Sequence, residues 1–377
     1  GNLKTNNMNF TKNNNGTFTS IKDEKIVPML EIKSCERDSH INLMRRIFEV
    51  QSSSGKCGRM SAFIQDFIEE LEDHAILVES DEIGNMYVTK GEAITYPCIV
   101  SHIDTVHRII PNEDYMVIDN DNHFFAIDKN KMSLTGIGGD DKCGIYTCLD
   151  NLIREPKIKL AFFVDEEIGC VGSSQADLSF FKDVSFILQA DRKGYNDIVS
   201  NISGIEMFDA DFLFKIDDTL NSYKRELNNG GMTDVMQLAE DGVQVSMANF
   251  SCGYYNPHCD SEYVVIDELI LTSILFRDII KDAYIDGEKN VFKRVVRTYA
   301  SYHGFDDTWS GYSYDGYGKV RKLQDYKDVS NRSECHVCGC ETTLDRDAKM
   351  YFCNNCLDYD YDEGVIENIS SDNIVPF

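Results

Sequence analysis

The sequence predicts an α/β fold, with helices packed against a sheet. Short apolar, strand-like runs alternate with stretches that carry apolar residues at helical spacing. Acidic and histidine-bearing segments follow those runs, and sites in such folds lie beyond the carboxyl ends of the strands. Two CxxC pairs near the C-terminus set a small unit apart from that fold.

The elements follow in order. Residues 1–38 are rich in Asn and Thr and read as a flexible lead, with a short strand over 26–32. Residues 39–50 and 61–71 have helical spacing, the second with a stripe of Phe63, Ile64, Phe67, Ile68 and Leu71. Residues 76–89 alternate around a turn at Gly84 and Asn85, which predicts a hairpin. Residues 96–101 form a buried strand that leads into His102. Two alternating stretches over 112–134, around an acidic turn at 119–122, read as an excursion away from the core.

A helix over 143–152 precedes a second buried strand, 159–164, with Glu166 and Glu167 just beyond its end. A third buried strand, 185–190, ends at Asp191. Residues 205–215 read as a strand and 219–227 as a short helix. Thr233 and Asp234 then start a helix that Gly242 stops, before a strand over 243–250 and a closing amphipathic helix over 267–283. Composition shifts after about residue 286. The expected organisation is a lead over 1–38, a catalytic-type domain over 39–290, an aromatic and Gly-rich linker over 291–332 and a metal knuckle over 333–377.

With 377 residues, 42% of them hydrophobic, the chain can bury a sizeable core. A net charge of -27 argues against nucleic-acid binding, because phosphate contacts need Lys and Arg. No run reaches the ~18 apolar residues of a membrane span, and the N-terminal segment has no apolar stretch of the secretory kind. The 13 cysteines therefore point to metal binding in a reducing cytoplasm rather than to disulfides.

Five segments carry the chemistry: SHID ending at Asp104, GGDDK ending at Lys142, VDEEIG ending at Gly169, Ala190-Asp191 and NPH ending at His258. Their two histidines and several carboxylates are the ligand set that a pair of zinc-type ions needs. One ring nitrogen of His102 is a metal donor, and Asp104, two residues on, is suited to hold the other. Asp140 follows two glycines, which let a carboxylate approach a metal closely, and is the candidate bridging ligand. Asp141 reads as a helix cap or a support. Glu166 and Glu167 are adjacent acids that repel unless cations neutralise them, which suits one ligand and one base; a solvated acidic turn is the alternative. His40, His74, His107, His123 and His303 read as surface or structural residues, with His107 close enough to His102 to support it.

The series HIDTV, GIGGDDKCG, VDEEIG, AD and H resembles the co-catalytic di-zinc peptidases that include peptidase T, carboxypeptidase G and the glutamyl-aminopeptidase group, from about residue 40 to about residue 285. The resemblance implies a zinc-exopeptidase-like mixed sheet flanked by helices. It implies that Asp140 bridges two zinc or other divalent ions, with His102 and Asp191 completing one ion's ligands and Glu167 and His258 the other's. Glu166 would be the general base and Asp104 would orient His102. The implied reaction is hydrolysis of an amide bond in a short peptide by an exopeptidase. A deacylase or amidase of an acylated amino acid or small metabolite uses the same centre, and a protein-binding adaptor without turnover is a third reading.

Two departures stand out. Arg192 and Lys193 follow Asp191 where a small residue is usual, and either face a substrate carboxylate or offset the acidic site. Only 66 residues separate Asp191 from His258, too few for the lid domain of the peptidase T and carboxypeptidase G types, so lid-mediated dimerisation is not implied.

Cys335 and Cys338 pair with Cys353 and Cys356 across 14 residues, the pattern of a structural four-thiolate zinc site. So small a unit depends on its zinc for folding. Its acidic surroundings, including Asp358, Asp360, Asp362 and Glu363, favour a protein partner over phosphate.

Overall fold

The computed structural model describes residues 34–294, together with short strands outside that span. Those outside are β1 (Phe10–Lys12) and β2 (Phe18–Ser20), and five near the C-terminus whose ranges close this section. The expected strand over 26–32, the linker, His303 and the cysteines of the C-terminal unit other than Cys353 lie outside the described residues.

The body opens with α1 (Ser34–Phe48) and α2 (Gly58–Glu70). The hairpin β3 (Ile76–Ser80) and β4 (Met86–Lys90) follows, antiparallel about Gly84 as predicted. Next come β5 (Tyr96–His102), β6 (Tyr115–Asn120), β7 (His123–Asp128), β8 (Ser133–Thr135) and α3 (Gly139–Arg154). Then follow β9 (Ile158–Phe163), the single turn α4 (Val171–Ser174), β10 (Val184–Arg192), β11 (Asp197–Ile202) and β12 (Ile205–Glu206). The body closes with α5 (Ala210–Ser222), β13 (Glu226–Gly230), α6 (Asp234–Glu240), β14 (Met247–Ser251), β15 (Tyr254–Tyr255), β16 (Tyr263–Val265) and α7 (Ile266–Ala283).

The main sheet runs in the order β12-β11-β14-β10-β5-β9-β4-β3, with β13 also paired to β11. Its centre is parallel: β10 lies between β14 and β5, and β5 pairs with β9. Its flanks are antiparallel, through β4 on β9 and β11 on β14. Every residue of β5, β9 and β14 is buried, which is why these strands read as continuous apolar runs rather than alternating ones. Helices cover the sheet. α1 packs on α3, α3 on α7 and α7 on α5, while α6 packs on β5, β10 and β14 and against α4.

The excursion over 112–134 forms part of a second sheet, ordered β15-β16-β7-β6 with β8 on β7. It is anchored rather than free: Phe124 is fully buried, with its ring 5.3 Å from that of Phe48 in α1.

Residues 205–227 differ from expectation. The expected strand and short helix are replaced by α5 and then β13. Asp209 caps α5 by accepting the Phe212 N–H at 2.8 Å. Phe212, Ile216 and Leu220 recur every four residues and bury one helical face. Among the described residues between Asp191 and His258 there is no separate lid domain; β11, β13 and β14 all join the main sheet.

The C-terminal strands are β17 (Tyr312–Tyr314) paired with β18 (Val320–Lys322), and a meander of β19 (Thr343–Asp345), β20 (Met350–Cys353) and β21 (Asp358–Asp360).

Candidate metal centre

Because β5, β9 and β10 are parallel, their carboxyl ends open on one edge of the sheet. His102 is the last residue of β5, Asp165 to Glu167 follow β9 closely, and Asp191 lies at the end of β10. The register between β10 and β14 slips between Gln189 and Arg192, a bulge of the kind that re-aims a side chain. Asn249 then holds Asp191 at both backbone groups, accepting from its N–H and donating to its carbonyl, each at 2.9 Å. His258 comes from the loop between β15 and β16 and is half exposed, whereas His102 is fully buried.

Asp140 sits at the irregular start of α3, where it and Asp141 have non-helical dihedrals. Gly138 before them has φ 70°, and a Cβ there would stand 2.7 Å from Thr105 Cγ2. Only glycine meets both demands. Asp141 faces inward as a support. Its carboxylate accepts from the Ser101 hydroxyl at 2.7 Å and from the Gly144 N–H at 2.9 Å, the latter capping α3.

The two oxygens of Asp140 face two different histidines. Oδ1 is 3.1 Å from His102 Nε2, and Oδ2 is 3.4 Å from His258 Nε2. Each histidine has a further carboxylate. Asp191 Oδ1 lies 3.8 Å from His102 Nε2, and Glu167 Oε2 lies 3.2 Å from His258 Nε2. Ligand atoms of His102, Asp140 and Glu167 all fall within 4.8 Å of one another, as do those of His102, Asp141 and Asp191. Asp140 is the freest of these carboxylates: Asp141 is spent on three donors, the third being the His102 N–H at 3.3 Å, and Asp191 accepts from Thr233 at 2.7 Å, Gln189 at 3.3 Å and Tyr254 at 3.4 Å.

Asp104 does more than face His102. The His102 Nδ1 lies 3.0 Å from the Asp104 carbonyl and 3.3 Å from its carboxylate. That carboxylate also accepts the Glu166 N–H at 2.9 Å, the Glu167 N–H at 3.2 Å and the Ser54 hydroxyl at 2.8 Å. It therefore fixes the loop that carries both glutamates. Asp165 helps from the other side: with φ 55°, it accepts the Gly55 N–H at 2.6 Å.

Burial and crowding dominate the electrostatics. Burial, then the neighbouring Asp140, pushes Glu167 up to about 7; the same two causes push Asp191 up to about 6. Glu166 is held well above the ordinary carboxyl range by burial and by Asp191, Asp234 and Glu167. His258 is pushed up to about 11 by hydrogen bonding to Asp140 and Glu167. Burial would lower His102, but the carboxylates of Asp104, Asp140 and Asp191 outweigh it and raise it. Carboxylates this close favour a bound cation, and Glu167 Oε1 is buried without a hydrogen-bond partner. The donor set of two imidazoles and several carboxylates fits zinc or a similar divalent ion.

Two residues at the site have no role there in the sequence reading. Asp234, read as a helix start, is fully buried and pushed up to about 7 by burial, and the Gln189 amide lies between it and Asp191. Glu262, an isolated acid before an apolar run, is buried beneath Asp140, accepting its N–H at 3.1 Å. Arg192 turns to Asp197, at 2.8 Å, and so offsets an acid outside the centre. Among the other histidines, His40 is buried in a polar network, while His123 packs on Tyr263.

No family model matches the chain, and no curated protein matches it in sequence. Solved structures do match in shape. The aminopeptidase PepT of Bacillus cereus is 15% identical with a TM-score of 0.54, over 66% of this chain and 98% of that one. A tripeptidase of Staphylococcus aureus is 14% identical with a TM-score of 0.50, over 65% and 98%. An aminopeptidase from the archaeon Desulfurococcus kamchatkensis is 14% identical with a TM-score of 0.50, over 66% and 96%. The chain has the fold of these peptidases. The likeness covers the fold alone, and the chemistry rests on the side chains described above. No described helix is long and apolar enough to cross a membrane.

Proposed function

We propose that the chain is a di-metal hydrolase that cleaves an amide bond in short peptides from one end. The observation that carries this reading is Asp140, whose two oxygens each face a separate histidine with its own further carboxylate. In this reading Asp140 would serve two divalent ions, with His102 and Asp191 holding one and Glu167 and His258 the other. When bound, such ions supply Lewis acidity toward a carbonyl oxygen and lower the pKa of a shared water.

The remaining steps belong to the chain. Asp104 keeps the His102 ring in place and fixes the glutamate loop. Glu166 takes a proton from the attacking water and later hands it to the leaving amine. Its burial favours the protonated form, which helps the second transfer. The shape-matched proteins include an aminopeptidase and a tripeptidase, which supports peptides over acylated metabolites as substrates. Cys335, Cys338, Cys353 and Cys356 hold a separate structural zinc in this reading, with Cys353 closing β20.

Metal content and turnover test it together. A chain reconstituted with zinc is expected to hold about three ions, two at the centre and one at the cysteines, and to release amino acids from di- and tripeptides. A chain that holds about one ion and cleaves neither peptides nor N-acyl amino acids refutes the reading. Cleavage of N-acyl amino acids alone moves the substrate to the deacylase class.

A further inference from the structure

Glu262 lies four residues beyond His258 in sequence, on the far side of the same loop. Its side chain is fully buried, and its two oxygens meet three donors from other loops. Oε2 accepts the Gly138 N–H at 2.8 Å and lies 2.7 Å from His107 Nε2; Oε1 accepts the Asp140 N–H at 3.1 Å. His107 belongs to the loop that follows His102 and Asp104. One carboxylate thus ties together the loops bearing His102, Asp140 and His258.

The seat of His107 is specific. A Cβ on Gly136 would stand 2.0 Å from His107 Nδ1, so the imidazole lies directly on the backbone of the glycine loop. Only a residue without a side chain at 136 leaves that space. Neither Glu262 nor His107 belongs to a group of side chains close enough together to hold an ion among the described residues, so neither is assigned as a ligand. Their contacts instead fix where the Asp140 backbone stands relative to the two histidine loops.

We infer that Glu262, oriented by His107, is a positioning residue that sets the reach of Asp140 between the two histidines and thereby secures the second metal ion. The inference rests on the di-metal reading above. Partners of this kind typically change metal affinity about 10–100-fold when removed. The ion on the His258 side depends most on it. Its histidine is half exposed on a loop that includes non-glycine residues at positive φ, Asn256 and His258, and Glu262 fastens that loop to Asp140.

Calorimetric titration of the full chain with Mn2+, which prefers carboxylate and imidazole over thiolate, reads the centre without the cysteines. Wild type is expected to take up two ions. Glu262→Gln keeps the volume but sets its amide N–H against one of the two backbone donors, Gly138 N–H or Asp140 N–H. It is expected to bind one ion normally and the second about 10–100-fold more weakly, with an unchanged far-UV spectrum. His107→Leu removes only the donor and should weaken the second ion in the same direction, while His107→Gln, which can donate to Glu262, should restore it. That rescue is what a merely structural role would not produce. Two ions at wild-type affinity in Glu262→Gln and His107→Leu overturn the inference and leave the di-metal reading standing. Should Glu262→Gln fail to fold, the His107 pair decides alone. Fewer than two ions in wild type overturns the di-metal reading itself, and this inference with it.

Discussion

At the scale of single residues, the two adjacent glutamates have separate surroundings. Glu167 faces His258 at 3.2 Å, whereas the closest approach of Glu166 to a histidine is 3.9 Å, to His102. That difference supports Glu167 as ligand and Glu166 as base. Glu166→Gln preserves the shape and the backbone contact to Asp104 but cannot move a proton. The expected result is a fall in kcat of about 10²–10⁴-fold with little change in KM and unchanged metal content. Steady-state kinetics on a tripeptide, with metal analysis of the same sample, checks both. Hydrolysis that persists within a few-fold of wild type would remove Glu166 from the proposed mechanism.

At the scale of elements, legibility followed burial. The strands β5, β9 and β10 were readable because each is a buried apolar run, and a motif at the end of a parallel strand falls on the open edge of the sheet. His102, Glu166, Glu167 and Asp191 could therefore be placed together before any coordinates. Residues 205–227 were not readable, because Phe212, Phe214 and Ile216 alternate like a strand. The cap from Asp209 and the burial of Leu220 decide for a helix, and Phe214 is left exposed. Asp234 and Glu262 went without an assigned role for another reason. Their roles come from contacts across loops distant in sequence, which no local pattern records.

Helix packing also carries an acid-sensitive element. Asp150 on α3 accepts from Ser273 of α7 at 2.6 Å and from Arg154 at 3.0 Å, and lies 3.4 Å from His40 of α1. Burial would raise its pKa, but His40, Ser273 and Arg154 outweigh it and lower it from 3.8 to about 2. A depressed carboxylate stabilises the fold above its unfolded pKa and loses that contribution as pH falls through the folded value. The contribution is about 2 kcal/mol, present above about pH 4 and lost toward about pH 2. Asp150→Asn should be less stable than wild type at pH 6, with the gap closing over that acid window. Urea midpoints measured in parallel check it, and a gap that stays constant with pH assigns the effect to packing instead.

At the scale of the whole molecule, the question is where the folded body ends. The expected domain boundary falls at residue 290, yet the contacts run further. Phe292 N–H donates to the Gln244 carbonyl at 3.2 Å. The Arg294 guanidinium donates to the carbonyls of Glu206, Met207, Val243 and Val245, at 2.9, 2.6, 3.0 and 2.5 Å. These carbonyls come from β12, the turn after it and the approach to β14, so one side chain fastens the outer strands of the sheet to one another. Hydrogen bonds to a charged group contribute about 1.5–3 kcal/mol each at most, and those shared by one guanidinium are not additive. A chain ending at residue 294 should therefore melt like the body of the full chain and keep the two ions of the centre while losing the one at the cysteines. A chain ending at residue 290 should melt several degrees lower, because the same carbonyls are left without their donor. Calorimetry of the two truncations separates the cases: equal melting temperatures would show that Arg294 decorates the sheet rather than fastening it.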